Sequence, residues 1–146
     1  MSNEEMFVLE QFRKGFDCSQ VVLMAFADEL GYDEEELARM SSAFGGGMFH
    51  GDTCGAVTGA LMALGMRFGH DSFGQNDRKQ KIQEKVAEFE KAFLEEKGSL
   101  FCRDLIGFDV AKGEFQEAVE SGVVMDRCPG NVLMAIAEVQ RLFEED

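Results

Sequence analysis

Four cysteines carry the chemistry this chain offers: Cys18, Cys54, Cys102 and Cys128. Each is expected to open a helix. Cys18 begins Cys18-Ser19-Gln20-Val21-Val22-Leu23-Met24-Ala25, and Cys128 begins Cys128-Pro129-Gly130-Asn131-Val132-Leu133-Met134-Ala135. A cysteine followed four residues later by Val-Leu-Met-Ala thus occurs twice. A helix N-terminus carries unpaired N–H groups and a partial positive charge, and both favour thiolate over thiol. The thiolate is the form that attacks disulfides and binds metals.

Spacing narrows the choice. The cysteines stand 36, 48 and 26 positions apart. No C-x-x-C is present, which excludes a thioredoxin-type dithiol, a zinc ribbon and a ferredoxin signature. Any pair must therefore be assembled by the fold. Arg103 follows Cys102 and Arg127 precedes Cys128, so either guanidinium could lower a neighbouring thiol's pKa. His50, four residues before Cys54, could act as a base, an electrostatic partner or a metal ligand. Against these stands plain packing, because free cysteine is among the most buried residue types.

Almost every element that must position the cysteines reads as helix. Met6, Phe7, Leu9 and Phe12 share one face of a helix over 2–14. Asp17 caps a second over 18–30, which Gly31 closes. A third covers 34–44, and residues 45–52 form a glycine-rich, flexible loop. A fourth helix, 53–68, has a small face made of Gly55, Gly59, Ala60 and Ala63, suited to close helix packing. Residues 75–97 form a long amphipathic helix. Residues 99–106 read as a loop and a short helix, 115–120 as another short helix, and 122–127 as a connector. The last helix begins with Pro129 in its first turn and runs to about residue 143. No run alternates long enough to demand a sheet. The expected fold is an all-α, single-domain helical bundle over 1–146, with six to eight helices and the cysteines at helix N-termini.

Composition bounds the partners. The net charge of −14 argues against nucleic acid, whose phosphates need clustered Lys and Arg. The N-terminal Met1-Ser2-Asn3-Glu4-Glu5 has neither the basic nor the apolar region of a signal peptide. No apolar run reaches the length of about 20 residues that a membrane span needs. A cytoplasmic protein is expected, and thiols in that compartment are kept reduced for catalysis, sensing or metal binding.

The motif Cys54-Gly55-Ala56-Val57-Thr58-Gly59, with Cys18 before it and Cys102 and Cys128 after it, resembles a known family. The chain is similar to the C_GCAxxG_C_C proteins, which are labelled redox-active from their cysteine pattern. The likeness runs from about Gly15 to Ala137, and Phe44-Gly45-Gly46-Gly47-Met48 looks like the family's glycine loop. The resemblance implies redox work at all four cysteines, with Gly55, Ala56 and Gly59 as motif residues. The leading reading is reversible thiol–disulfide exchange without a cofactor, with Cys54 as attacking thiolate and an unknown redox protein as partner. Cys18 and Cys128 are expected in two mixed pairs with Cys54 and Cys102. A zinc or iron–sulfur site held by the four cysteines, or by three of them and His50, is the alternative. A non-enzymatic helical interaction module is a third. A homodimer is compatible with all three.

Overall fold

The structure is a computed structural model that describes residues 1–145; Asp146, the last residue of the expected domain, lies outside the described residues. It is all-α. The helices are α1 Asn3–Arg13, α2 Cys18–Met24, α3 Ala27–Leu30, α4 Glu34–Ser41, α5 Gly55–Phe68, α6 Asn76–Lys97, α7 Cys102–Ile106, α8 Phe115–Ser121 and α9 Val123–Glu144. A 3-10 turn, Val110–Lys112, sits between α7 and α8. The only extended pairing among the described residues is an isolated antiparallel bridge between Thr53 and Phe101.

Among the described residues, nine α-helices replace the six to eight expected, chiefly because the segment 18–30 breaks in two. Phe26 leaves helical geometry, with φ −103° and ψ 12°. The break carries its ring into the core, edge-on to Phe143 at 5.2 Å between centroids. Burying a phenylalanine contributes about 2–3 kcal/mol, more than one helical hydrogen bond is worth. Tertiary packing thus overrides local helix continuity.

The second difference concerns Pro129. It does not open the last helix; α9 begins at Val123 and carries Pro129 inside it. Its missing N–H removes a single hydrogen bond. Buried Val132, Ala135, Ile136, Val139 and Leu142 hold the rest of α9 against the core. Cys128 therefore lies in the body of a helix. The expectation of four cysteines at helix N-termini is corrected to three.

At the centre, α5 packs on α2, α6 and α9, and its most extensive contact is with α2. Gly55 and Gly59 create that contact. A Cβ on Gly55 would lie 2.8 Å from the backbone nitrogen of Ser19 and 3.0 Å from Cβ of Cys18. One on Gly59 would lie 2.6 Å from the carbonyl oxygen of Ser19. Only hydrogen fits at either position. The other side of α2 is tied to α4, where the Ser19 hydroxyl donates to the Ser41 carbonyl at 2.8 Å and the Gln20 amide donates to the Ala38 carbonyl at 2.9 Å.

The glycine loop takes a defined path. Gly46, Gly47, Met48 and Phe49 all have left-handed φ, between 58° and 65°. For Met48 and Phe49 this costs about 1–2 kcal/mol each. The turn packs against Val110–Lys112 and stands directly before the Thr53–Phe101 bridge.

Candidate functional site

The bridge sets two cysteines side by side. The Cys54 N–H donates to the Leu100 carbonyl at 2.7 Å, and the Cys102 N–H donates to the Asp52 carbonyl at 2.7 Å. Each cysteine leads straight into a helix: Cys54 is the N-cap of α5, and Cys102 is the first residue of α7. The two helix starts are therefore adjacent, although 48 residues separate them in sequence. The Gly55–Gly59 contact then brings the first residue of α2, Cys18, against Cys54. Finally, Arg127 donates to the Leu105 carbonyl at 3.1 Å and so fixes α7 on α9, which carries Cys128.

All four cysteines line one cavity of about 300 Å³. Each is a free thiol, and none exceeds 9% exposure. The remaining wall is largely apolar and includes Phe12, Phe16, Leu105, Ile106, Phe115 and Val119. Its polar members besides the cysteines are Asp17 and Asn131.

The thiols are not equivalent. Cys54 is held below the ordinary thiol range, first because the Cys18 thiol hydrogen-bonds to it. Burial opposes the ionised sulfur, but the N–H groups of Ala56 and Val57 in the first turn of α5 support it, as does the Lys97 ammonium. Cys18 is pushed well up by hydrogen bonding to Cys128 and to Cys54, and then by burial. Cys102 rises from 9.0 to about 12, mainly through burial, with further repulsion from Cys54, Cys128 and Asp109. Burial also raises the Asp17 carboxyl.

Helix position alone therefore does not make a thiolate. Cys18 and Cys102 both begin helices, yet desolvation and neighbouring sulfurs outweigh the helix contribution. The expected effect of Arg103 and Arg127 is also redirected. Arg103 donates to the Gly51 carbonyl at 3.1 Å and lies over the Phe101 ring, while Arg127 serves the Leu105 carbonyl. The cation that bears on Cys54 is Lys97, at the end of α6.

The raised Cys102 thiol predicts alkaline destabilisation. Above pH 9 the unfolded chain releases this proton while the folded chain retains it until about pH 12. The unfolded state then binds fewer protons, so stability falls as pH rises through that window. The slope is at most about 1.4 kcal/mol per pH unit for one thiol, less where solvent reaches the sulfur. Urea midpoints from pH 8 to 11 should fall less steeply in Cys102→Ala than in the wild type. Parallel slopes would mean that Cys102 ionises in the folded protein.

The metal alternative finds no matching donor set: among the described residues, no three or more His, Cys, Asp or Glu are arranged to hold a metal ion. His50 is exposed, in the turn before the bridge, and does not line the cavity. Of the motif residues, Gly55 lines the cavity, Gly59 spaces α2 from α5, and Ala56 supplies an N–H to Cys54. Sequence reasoning missed Asn131 and Lys97 as members of the site. Asn131 had a usable signal, a polar residue one turn after Cys128 on an apolar helix face; Lys97 had none.

Residues 16–142 match the family described as "Putative redox-active protein (C_GCAxxG_C_C)", and the chain belongs to that family. No curated relative and no solved structure matches it. No helix among the described residues is long and apolar enough to cross a membrane.

Proposed function

We infer that this protein performs reversible thiol–disulfide exchange through its four cysteines. The observation that carries the reading is the inequality of thiols around one cavity. Cys54 is held below the ordinary thiol range, while Cys18 beside it is pushed well above that range. That is the division of labour between an attacking and a resolving cysteine.

In the first step the Cys54 thiolate attacks one sulfur of a substrate disulfide. A mixed disulfide forms, and the other substrate half leaves as a thiolate. In the second step Cys18 attacks the Cys54 sulfur. The Cys18–Cys54 disulfide forms, the second substrate thiolate leaves, and it carries away the Cys18 proton. Two protein thiols are oxidised and one disulfide is reduced. An external thiol donor restores the dithiol. Cys102 and Cys128, neighbours across the same cavity, form the second pair that can exchange with the first. This pairing is one of the two mixed arrangements expected from the repeated Cys18 and Cys128 sequences. A reducing, cytoplasmic setting suits free thiols of this kind.

The test is a thiol count on anaerobically purified protein before and after mild oxidation, with disulfide mapping by mass and metal analysis of the same sample. Loss of two free thiols with a Cys18–Cys54 bond, reversed by reductant, is expected. Stoichiometric iron or zinc masking the thiols would overturn the exchange reading. So would four thiols that react only after denaturation.

A further inference from the structure

The thiols of this site lie inside the molecule, so their substrate must enter it. Cys54 is only 4% exposed and meets its reaction partner through the cavity. At about 300 Å³ that cavity falls at the lower end of small-molecule sites. Phe115, Val119 and Met125 line it and are also exposed, which places its mouth beside α8 and the start of α9. A disulfide embedded in another folded protein is too bulky to reach the sulfurs.

Charge selects further. Among the described residues no Lys or Arg lines the cavity, and the one ionisable group there other than the thiols, Asp17, is acidic. The chain as a whole carries −14. An anion entering here would lose its water, and the one cation that bears on Cys54, Lys97, stands outside the lining. A cation would have to desolvate against an apolar wall.

One polar group remains without a task. Asn131 is 4% exposed, lines the cavity three residues beyond Cys128, and its carboxamide has no hydrogen-bond partner among the described residues. No side-chain nitrogen or oxygen among the described residues is both sealed from solvent and unpaired. The amide therefore retains contact with the cavity space. A buried amide left unpaired costs stability unless something in the cavity pairs with it.

We propose that the cavity takes a small, uncharged, mainly apolar organic disulfide, one polar group of which hydrogen-bonds to the Asn131 carboxamide while its sulfur meets Cys54. This rests on the exchange reading above and names its substrate class. The covalent steps are those already given, with the substrate reduced to two thiols and the protein dithiol oxidised.

The experiment uses the full chain, reduced, with three disulfides: neutral bis(2-hydroxyethyl) disulfide, cationic cystamine and anionic glutathione disulfide. Rates of protein oxidation are normalised to those of a small free thiol with the same reagents. The neutral reagent should exceed both charged ones by about ten-fold after normalisation, since only it enters without losing charge hydration. Asn131→Leu should reduce that preference by about three- to ten-fold, the worth of one hydrogen bond. It should not lower the melting temperature, because the unpaired amide is gone.

Hexane-1,6-diol, which replaces the disulfide sulfurs by methylenes, separates binding from exchange. It should slow alkylation of Cys54 in the wild type and do so less in Asn131→Leu. Protection by the diol with no reaction from any disulfide would keep the binding site and overturn the exchange reading. Normalised rates equal for all three disulfides, with no protection, would overturn the site while exchange stands. Faster reaction with either charged disulfide, or with a protein disulfide, would also overturn it.

Discussion

Cys54→Ser should slow the reaction of the protein with disulfides by about a hundred-fold or more at pH 7, while the fold is retained. The fold argument is local. Cys54 is the N-cap of α5, and serine is among the preferred residues at that position. The substitution removes the reactive sulfur and keeps a small polar acceptor for the first turn. The kinetic argument is the thiolate population. With Cys102 pushed up to about 12, roughly one such thiol in 10⁵ is ionised at pH 7. Cys18 is also held strongly in the thiol form, so neither can stand in for Cys54. Cys18→Ser gives the complementary result. Attack by Cys54 proceeds, the resolving sulfur is absent, and a mixed disulfide accumulates that mass spectrometry detects as one bound substrate half. If Cys54→Ser reacts at the wild-type rate, the attacking thiol is another cysteine. If Cys18→Ser turns over normally, the resolving role belongs elsewhere.

The same local physics decides what could be read from the sequence. Apolar periodicity gave the long helices because their cause is local. Phe89 and Phe93 stack at 5.9 Å on the buried face of α6, and the observed Asn76–Lys97 begins one residue after the expected start and ends with it. The small face of 53–68 was equally legible, since Gly55 and Gly59 stand one helical turn apart and can serve only close approach. Pro129 misled because its preference for a first turn is a statistical tendency, whereas the position of the chain turn was fixed by Gly122 with φ 87°. The grouping of the cysteines was legible as a requirement but not as geometry. The Thr53–Phe101 bridge, which places Cys54 beside Cys102, consists of two backbone hydrogen bonds that no side-chain pattern encodes. The pKa order was illegible for the same reason. The helix term is visible in sequence, but burial and the other sulfurs act through space and outweigh it at Cys18 and Cys102.

Gly59→Ala should destabilise the protein by about 2–3 kcal/mol, or roughly 5–10 °C in melting temperature, and should slow Cys54 as well. Alanine is the better helix former, so an isolated helix would gain roughly 0.5–1 kcal/mol from the change. Packing reverses the sign. The new methyl would lie 2.6 Å from the Ser19 carbonyl oxygen and 3.1 Å from Cβ of Val22, both on α2. Neither is the free end of a flexible side chain, so α2 as a whole must move away from α5. The first residue of α2 is Cys18, whose hydrogen bonding is the leading reason that Cys54 is held below the ordinary thiol range. Displacing α2 weakens that bond, and the pH midpoint for alkylation of Cys54 should rise. Gly65→Ala, six residues later in the same helix, is the control, because a Cβ there meets nothing within 4 Å. It should stabilise by roughly 0.5–1 kcal/mol and leave the alkylation profile of Cys54 unchanged. Opposite signs from the same substitution in one helix would assign the second glycine of the motif its role: it sets the distance between α2 and α5, and through it the chemistry of Cys54. If both variants gain stability, α2 and α5 pack less closely than the Gly59 contact requires, and Cys54 owes its ionisation to the first turn of α5 and Lys97 instead.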